Sequence, residues 1–373
     1  MNELERFQTV RHFEKPDYYP LLLCLGGYNI SKGGLAKLHR EGLPEWVADN
    51  ETWCRYWGQC TFEHAEGIGA GWRAPNVETW VEGDFEYTRS ETGALTRQVR
   101  DWETNYSMPD FMEFDVRDRA SWEEYKGFGA THASHEKLEG QVRRFRDRTR
   151  PLMVQAGGTW GWARNLLGPE RALMAVYDEP DLLRDMIAHR LEEIERFVFP
   201  VIEALQPEVV NVWEDFAYNH GMLISPKAFR ELCAPYYRRV ASFCRDCDVE
   251  LLIVDCDGKV DQFCDLLEEV GFNGSWPLEQ VCGNPVAEYR KRHPNMIFIG
   301  GIEKEIVNSG NGHRIDAELA RIPPVLGQGG YFPTFDHMLQ ITVGFDELCR
   351  CMTQLHEICG SSLGSFPRGG LRM

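Results

Sequence analysis

The segment Leu251-Leu-Ile-Val-Asp-Cys-Asp-Gly258 decides the fold. Four apolar, β-prone residues run directly into acids and a glycine, which reads as a buried strand ending in a polar loop. Working outward, the same unit recurs at 152–156, 209–213, 272–276, 296–299 and 330–332. Between these runs lie longer helical patterns. Ser225-Pro226 supplies an N-cap and a proline at the first helical position, and Phe229, Leu232, Tyr236, Val240 and Phe243 follow at spacings of three and four. Residues 181–199 keep the same period, as do 316–322, closed by Pro323-Pro324. Strands alternating with crossover helices imply a parallel sheet covered by helices. The run at 21–25 supplies an earlier strand and 60–70 holds another, which makes an α/β chain of the (β/α)8 TIM-barrel class.

The organisation expected is one barrel domain over 1–359, with an N-terminal helical extension, an insertion over about 75–150 and a flexible tail over 360–373. Within the insertion, 79–88 and 94–102 are β-prone and separated by Ser90-Glu-Thr-Gly93, the signature of a β-hairpin near the barrel mouth. Residues 113–150 are polar and charge-rich, in the manner of surface helices, and the tail is rich in glycine and serine.

Forty basic against 58 acidic residues give a net charge of −18, which repels phosphate backbones and anionic lipid surfaces and excludes nucleic acid as a partner. No apolar run approaches the roughly 18 residues of a membrane span. The opening Met-Asn-Glu-Leu-Glu-Arg-Phe resembles neither a secretory signal nor a transit peptide, so the cytoplasm is the expected compartment. There, twelve scattered cysteines read as buried thiols rather than a disulfide framework, Cys244-Arg-Asp-Cys247 included. Gly67-Ile-Gly-Ala-Gly71 lacks the flanking strand and helix of a phosphate-cradling loop.

In such barrels the chemistry sits on the loops after the strands. There the sequence places Glu214-Asp215, Asp255, Asp257, Glu279, Glu303 and Asp336-His337. Acids after strands often cap the next helix, and Asp261 and Glu303 read that way. Asp255 and Asp257 do not, because alternation points them the same way and two adjacent carboxylates repel unless a cation or shared proton lies between them. With Glu279 and His337, Asp257 completes an O/O/N set of the kind that holds catalytic zinc or another divalent metal. Gly157-Gly-Thr-Trp-Gly-Trp162 leads through Arg164 into a helix and puts two indoles, Trp160 and Trp162, at the mouth beside a flat substrate, with Trp53, Trp57, Trp72 and Tyr106 as further candidates. Tyr218 completes the expected substrate contacts.

Several segments together resemble the uroporphyrinogen-decarboxylase-like superfamily: Val209-Val-Asn-Val-Trp-Glu-Asp-Phe-Ala217, Leu223-Ile-Ser-Pro-Lys-Ala-Phe-Arg230, Pro235-Tyr236, Asp255-Cys-Asp-Gly258, Pro277-Leu-Glu279, Gly300-Gly-Ile302 and Gly329-Gly-Tyr-Phe-Pro333. The superfamily joins a heme-pathway decarboxylase to corrinoid-linked methyltransferases. The decarboxylase's Arg-Gln-Ala-Gly-Arg signature is replaced by Leu23-Cys-Leu-Gly-Gly-Tyr28. The methyltransferases' His-x-Cys-Gly zinc motif aligns with Asp255-Cys256-Asp257-Gly258, and Tyr331 falls near their second cysteine. The resemblance is therefore closest to the ether-cleaving, O-demethylase type, since a carboxylate and imidazole site suits an oxygen substrate better than a thiol.

It implies a metal at Asp257, Glu279 and His337 and proton delivery by Glu214, Asp215 or Asp255. The methoxylated, aromatic substrate would be held by Trp160, Trp162, Arg164 and Tyr218. The corrinoid would come from a partner protein, because no Asp-x-His-x-x-Gly cobalamin signature is present. A homodimer is an allowed assembly. The alternatives are a decarboxylase of a pyrrole or aromatic acid and a non-catalytic barrel that binds a tetrapyrrole or corrinoid.

Overall fold

The computed structural model describes every residue except 24–29, 66–75, 103, 105, 106, 129–134, 309–311 and 369–373. Its main sheet joins seven parallel strands: β1 (Glu63–His64), β6 (Leu152–Gln155), β7 (Val209–Glu214), β10 (Leu251–Cys256), β11 (Gly274–Trp276), β12 (Ile297–Ile302) and β13 (Tyr331–Phe335), neighbours in that order. Residues 21–23 extend it on the β1 side. Leu22 pairs in parallel with Cys60, Leu23 N–H donates to the Cys60 carbonyl (2.7 Å) and Cys60 N–H donates to that of Leu21 (2.8 Å). A further parallel bridge, Ile30 to Leu339, ties the two ends of the array together.

Closure shows in the core. Leu22, Phe62, Met153, Val209, Ile253, Trp276, Ile299 and Phe332, one residue from each strand position, form a single buried cluster, the filled interior of a barrel. The helix Glu3–Arg11 plugs the end where strands begin. Its Phe7, fully buried, stacks on Phe332 at 4.9 Å, and Val10 offers its carbonyl to Gly330 N–H at 2.8 Å. A separate, larger cluster binds the outer strand faces to the surrounding helices. None of the described helices is long and apolar enough to cross a membrane.

The insertion is more elaborate than one hairpin. Its expected first strand breaks at Gly83-Asp84 into β2 (Val77–Glu82) and β3 (Phe85–Ser90), because Gly83, at φ +60°, forms a two-residue turn. Ser90–Gly93 then turns into β4 (Leu95–Val99), and β5 (Asp110–Glu113) completes a four-stranded antiparallel sheet. Helices Arg119–Gly127 and His135–Phe145 follow, as the polar pattern predicts. A small hairpin, β8 (Ala217–Tyr218) with β9 (Gly221–Met222), sits after β7.

Two punctuation marks also differ from expectation. Pro323-Pro324 opens the short helix Pro323–Leu326, since proline suits a first turn. The Gly/Ser-rich tail is anchored where Phe366 is buried, 5.1 Å from the Trp57 ring. Because Phe7 fills the closed end of the barrel from a non-strand element, Phe7→Ala should lower unfolding free energy by about 3–5 kcal/mol. Urea denaturation checks this: the midpoint falls while the slope stays, and an unchanged midpoint contradicts the plug.

Candidate functional site

Register builds the opposite end. In β10, Ile253 faces the interior, so alternation turns Asp255 inward one layer higher. Asp255 pairs across the sheet with Trp213 on one side and Trp276 on the other. Just beyond the strand ends stand Asp215 after β7, Asp257 after β10, Glu279 after β11 and His337 after β13. The structure brings these together. His337 Nε2 lies 3.2 Å from Asp257 Oδ1, its Nδ1 lies 3.6 Å from Glu279 Oε1, and the ring lies 6.3 Å from that of Trp276 at 28°. Glu279 also accepts from Gly258 N–H at 2.7 Å, and Arg164 donates to Asp215 at 2.5 Å.

These groups perturb one another. Burial raises Asp255 well above the usual carboxylate range, reinforced by the charges of Asp257 and Asp215, and among the described residues it has no hydrogen-bond donor or counter-ion. Asp215 is also raised by burial, with Arg164 opposing. For His337, burial pulls the imidazole down, but the hydrogen bond and charge of Asp257, aided by Glu279, prevail and raise it. Asp336, buried behind His337, is raised to about 6 by burial although it accepts from Lys304 N–H at 3.1 Å.

Glu214 is not at the mouth. It follows Trp213 by one residue, so alternation turns it outward, where it is fully buried and its burial raises its pKa. Its oxygens accept from Thr159 N–H (2.5 Å), Thr159 Oγ1 (2.8 Å), Gly161 N–H (2.6 Å) and Tyr237 Oη (2.8 Å). With those donors in place it clamps the loop after β6 to β7. The tryptophan pair is likewise displaced, because the helix Trp160–Leu167 has already begun. Residues two apart on a helix point in nearly opposite directions. Trp160 is fully buried and stacked on Phe216, and Trp162 packs edge-on against Trp122, away from the mouth.

Trp213 is the indole that reaches the mouth, partly exposed with the Arg164 guanidinium 5.7 Å from its ring. Gln155 and His64 join it, since Met153 and Phe62 two residues earlier fill the interior and both later side chains are exposed. Period-two alternation was the signal for all three. Tyr218 lies on the rim, 65% exposed. Trp53 and Trp57 are core, and Trp72, Tyr106 and the 67–71 glycines lie outside the described residues. Cys244 and Cys247 are free thiols, Cys244 pushed up to about 12 by burial.

Asp257, Glu279 and His337 fit a divalent cation by donor chemistry, and His337 Nδ1 is a buried nitrogen with no hydrogen-bond partner. As placed, the ring stands between the carboxylates, and among the described residues no three His, Cys, Asp or Glu side chains surround a common point. Converging on one ion requires the imidazole to turn so that a single nitrogen faces both acids.

A closed parallel barrel with acids and an imidazole gathered where its strands end defines the class of (β/α)8 barrels whose chemistry is carried by strand-end loops. The uroporphyrinogen decarboxylase (URO-D) family model matches residues 115–357, and the chain belongs to that family. Among solved structures it is similar to a methyltransferase from Methanosarcina mazei, with a TM-score of 0.58 and 12% identity over 93% of this chain and 96% of that one. No curated protein matches the chain in sequence. The match begins after β5, so the inserted sheet lies outside it.

Glu214→Gln swaps an acceptor for an amide donor facing other donors, and should cost about 2–4 kcal/mol of stability. Asp215→Asn, at a partly exposed position, should cost under about 1 kcal/mol. Denaturation of both variants checks the contrast, and equal losses would refute the clamp.

Proposed function

We propose that this chain is a methyltransferase that moves a methyl group from a small methoxylated substrate, aromatic in preference, to a corrinoid carried by a separate protein. The observation that carries the reading is the donor set at the mouth, Asp257 at 3.2 Å and Glu279 at 3.6 Å from His337. Burial raises the neighbouring thiols, Cys256 well above its usual range and Cys282 to about 11, which favours the carboxylate and imidazole donors. The structural likeness to a methyltransferase supports the same class.

Asp257, Glu279 and His337 would hold a divalent ion, zinc being the first choice, and it would supply Lewis-acid polarisation of an ether oxygen. The protein's own groups do the rest. Asp255, whose pKa burial raises, turns toward the same mouth and would deliver a proton to the departing oxygen. Arg164 and Asp215 fix each other at the edge of the site. Trp213 offers a flat apolar wall, and Tyr218 on the rim meets whatever approaches from outside. Glu214 acts by positioning the loop after β6. Decarboxylation of an aromatic or pyrrole acid is the second reading, favoured by the family's name and by the same Asp255, which could protonate a carbanion while Arg164 holds a carboxylate.

The test mixes the purified chain with a Co(I) corrinoid protein and a panel of methoxybenzenes, methoxybenzoates and aliphatic methyl donors, and follows methyl-Co(III) absorbance. The expected result is methyl transfer with release of a phenol, about one divalent metal ion per chain by elemental analysis, and loss of both metal and turnover in Asp257→Ala and His337→Ala with folding kept. Carbon dioxide release without corrinoid would establish the second reading instead.

A further inference from the structure

Between the inserted sheet and the barrel lies a cavity of about 250 Å³. It arises from side-chain size. A sheet packs about 10 Å from the layer it faces, and the short residues Ala94, just before β4, and Thr96, on it, line that gap and leave it space. Phe111 on β5 and Phe114 form one aromatic wall, and Trp162 with Leu166 from the helix Trp160–Leu167 forms the other. This is where Trp162 goes, having left the mouth.

Arg190, on the helix Pro180–Phe197, lines the same cavity and is only 2% exposed. Its Nη1 donates to Glu193 at 3.0 Å, its guanidinium carbon lies 5.4 Å from the centre of the Trp162 ring, and its buried Nε has no acceptor among the described residues. A buried, unsatisfied guanidinium donor is costly to keep. Among the acids of the lining, Glu193 is shared between Arg190 and His189 (3.6 Å), Glu113 is held by Arg89 (3.1 Å), and Asp115 accepts from Ser90 at 3.3 Å. The cation Lys126 is held by Glu123 at 3.0 Å.

We propose that this cavity binds a small aromatic acid, its ring between Phe111, Phe114 and Trp162 and its carboxylate accepting from Arg190. Size agrees, since a cavity of about 150 Å³ takes benzene and this one leaves room for a carboxylate as well. Guanidinium against carboxylate is the strong form of hydrogen bond, and burial within an aromatic wall selects a flat apolar body. The site stands on the outer flank of the barrel and does not rest on the methyl-transfer reading.

Calorimetric titration of the intact protein with benzoate tests it. Saturable binding is expected, unchanged in the mouth variant Asp257→Ala and abolished in Ala94→Phe, which fills the gap. Leu166→Phe serves as a second filling variant, with circular dichroism confirming that each is folded. Benzyl alcohol, the neutral analogue, should bind at least about tenfold more weakly. No binding at millimolar benzoate, binding that survives both filling variants, binding lost in Asp257→Ala, or equal affinity for the alcohol would each overturn the proposal.

Discussion

Parallel register around a closed barrel is the constraint on which the rest depends. Once Ile253 is committed to the interior layer with Met153 and Ile299, the pleat leaves Asp255 no choice but to face inward, with Trp213 and Trp276 on either side. The strand ends then deliver Asp215, Asp257, Glu279 and His337 onto one opening. Without closure these acids would be spread along an open sheet edge and would not repel. Phe7, entering from outside the sheet, covers the other end and packs into the interior cluster.

Beneath the opening, Glu214 gives the loops their positions. One carboxylate joins the loop after β6, the start of the helix Trp160–Leu167 and Tyr237 on the helix Ala234–Asp246. That clamp brings Gly158 and Gly161 hard against Trp213: a Cβ at Gly158 would come within 2.0 Å of the Trp213 carbonyl oxygen. Trp213 and Arg164 thus inherit their places from a residue that touches no reacting group.

Long apolar runs such as 209–213 and 251–254 were legible because a fully buried strand announces itself without any partner in view. β1 was legible only as a strand somewhere within 60–70, since Glu63-His64 is two polar residues whose strand character comes from pairing with Leu152 and Met153. The Gly83-Asp84 turn was hidden inside a β-prone stretch, and Trp160 and Trp162 were misplaced because the turn from loop to helix rotates successive side chains. Adjacent acids after a strand look alike in sequence. Only the strand's facing separates Glu214, turned out and satisfied, from Asp255, turned in and unpartnered.

Asp255, turned in among like charges, costs the fold stability, and we propose that it is kept there for proton transfer. Its folded-state pKa is raised, so the penalty is absent below the unfolded value of about 3.9 and grows as pH rises above it. Thermal unfolding of Asp255→Asn beside the parent chain, both metal-free and at neutral pH, measures this directly. A midpoint about 1 °C or more above that of the parent chain is expected, the shift that roughly 1 kcal/mol of relieved repulsion gives in a chain of 373 residues. A midpoint at or below that of the parent would show that Asp255 supports the fold, and would contradict the account.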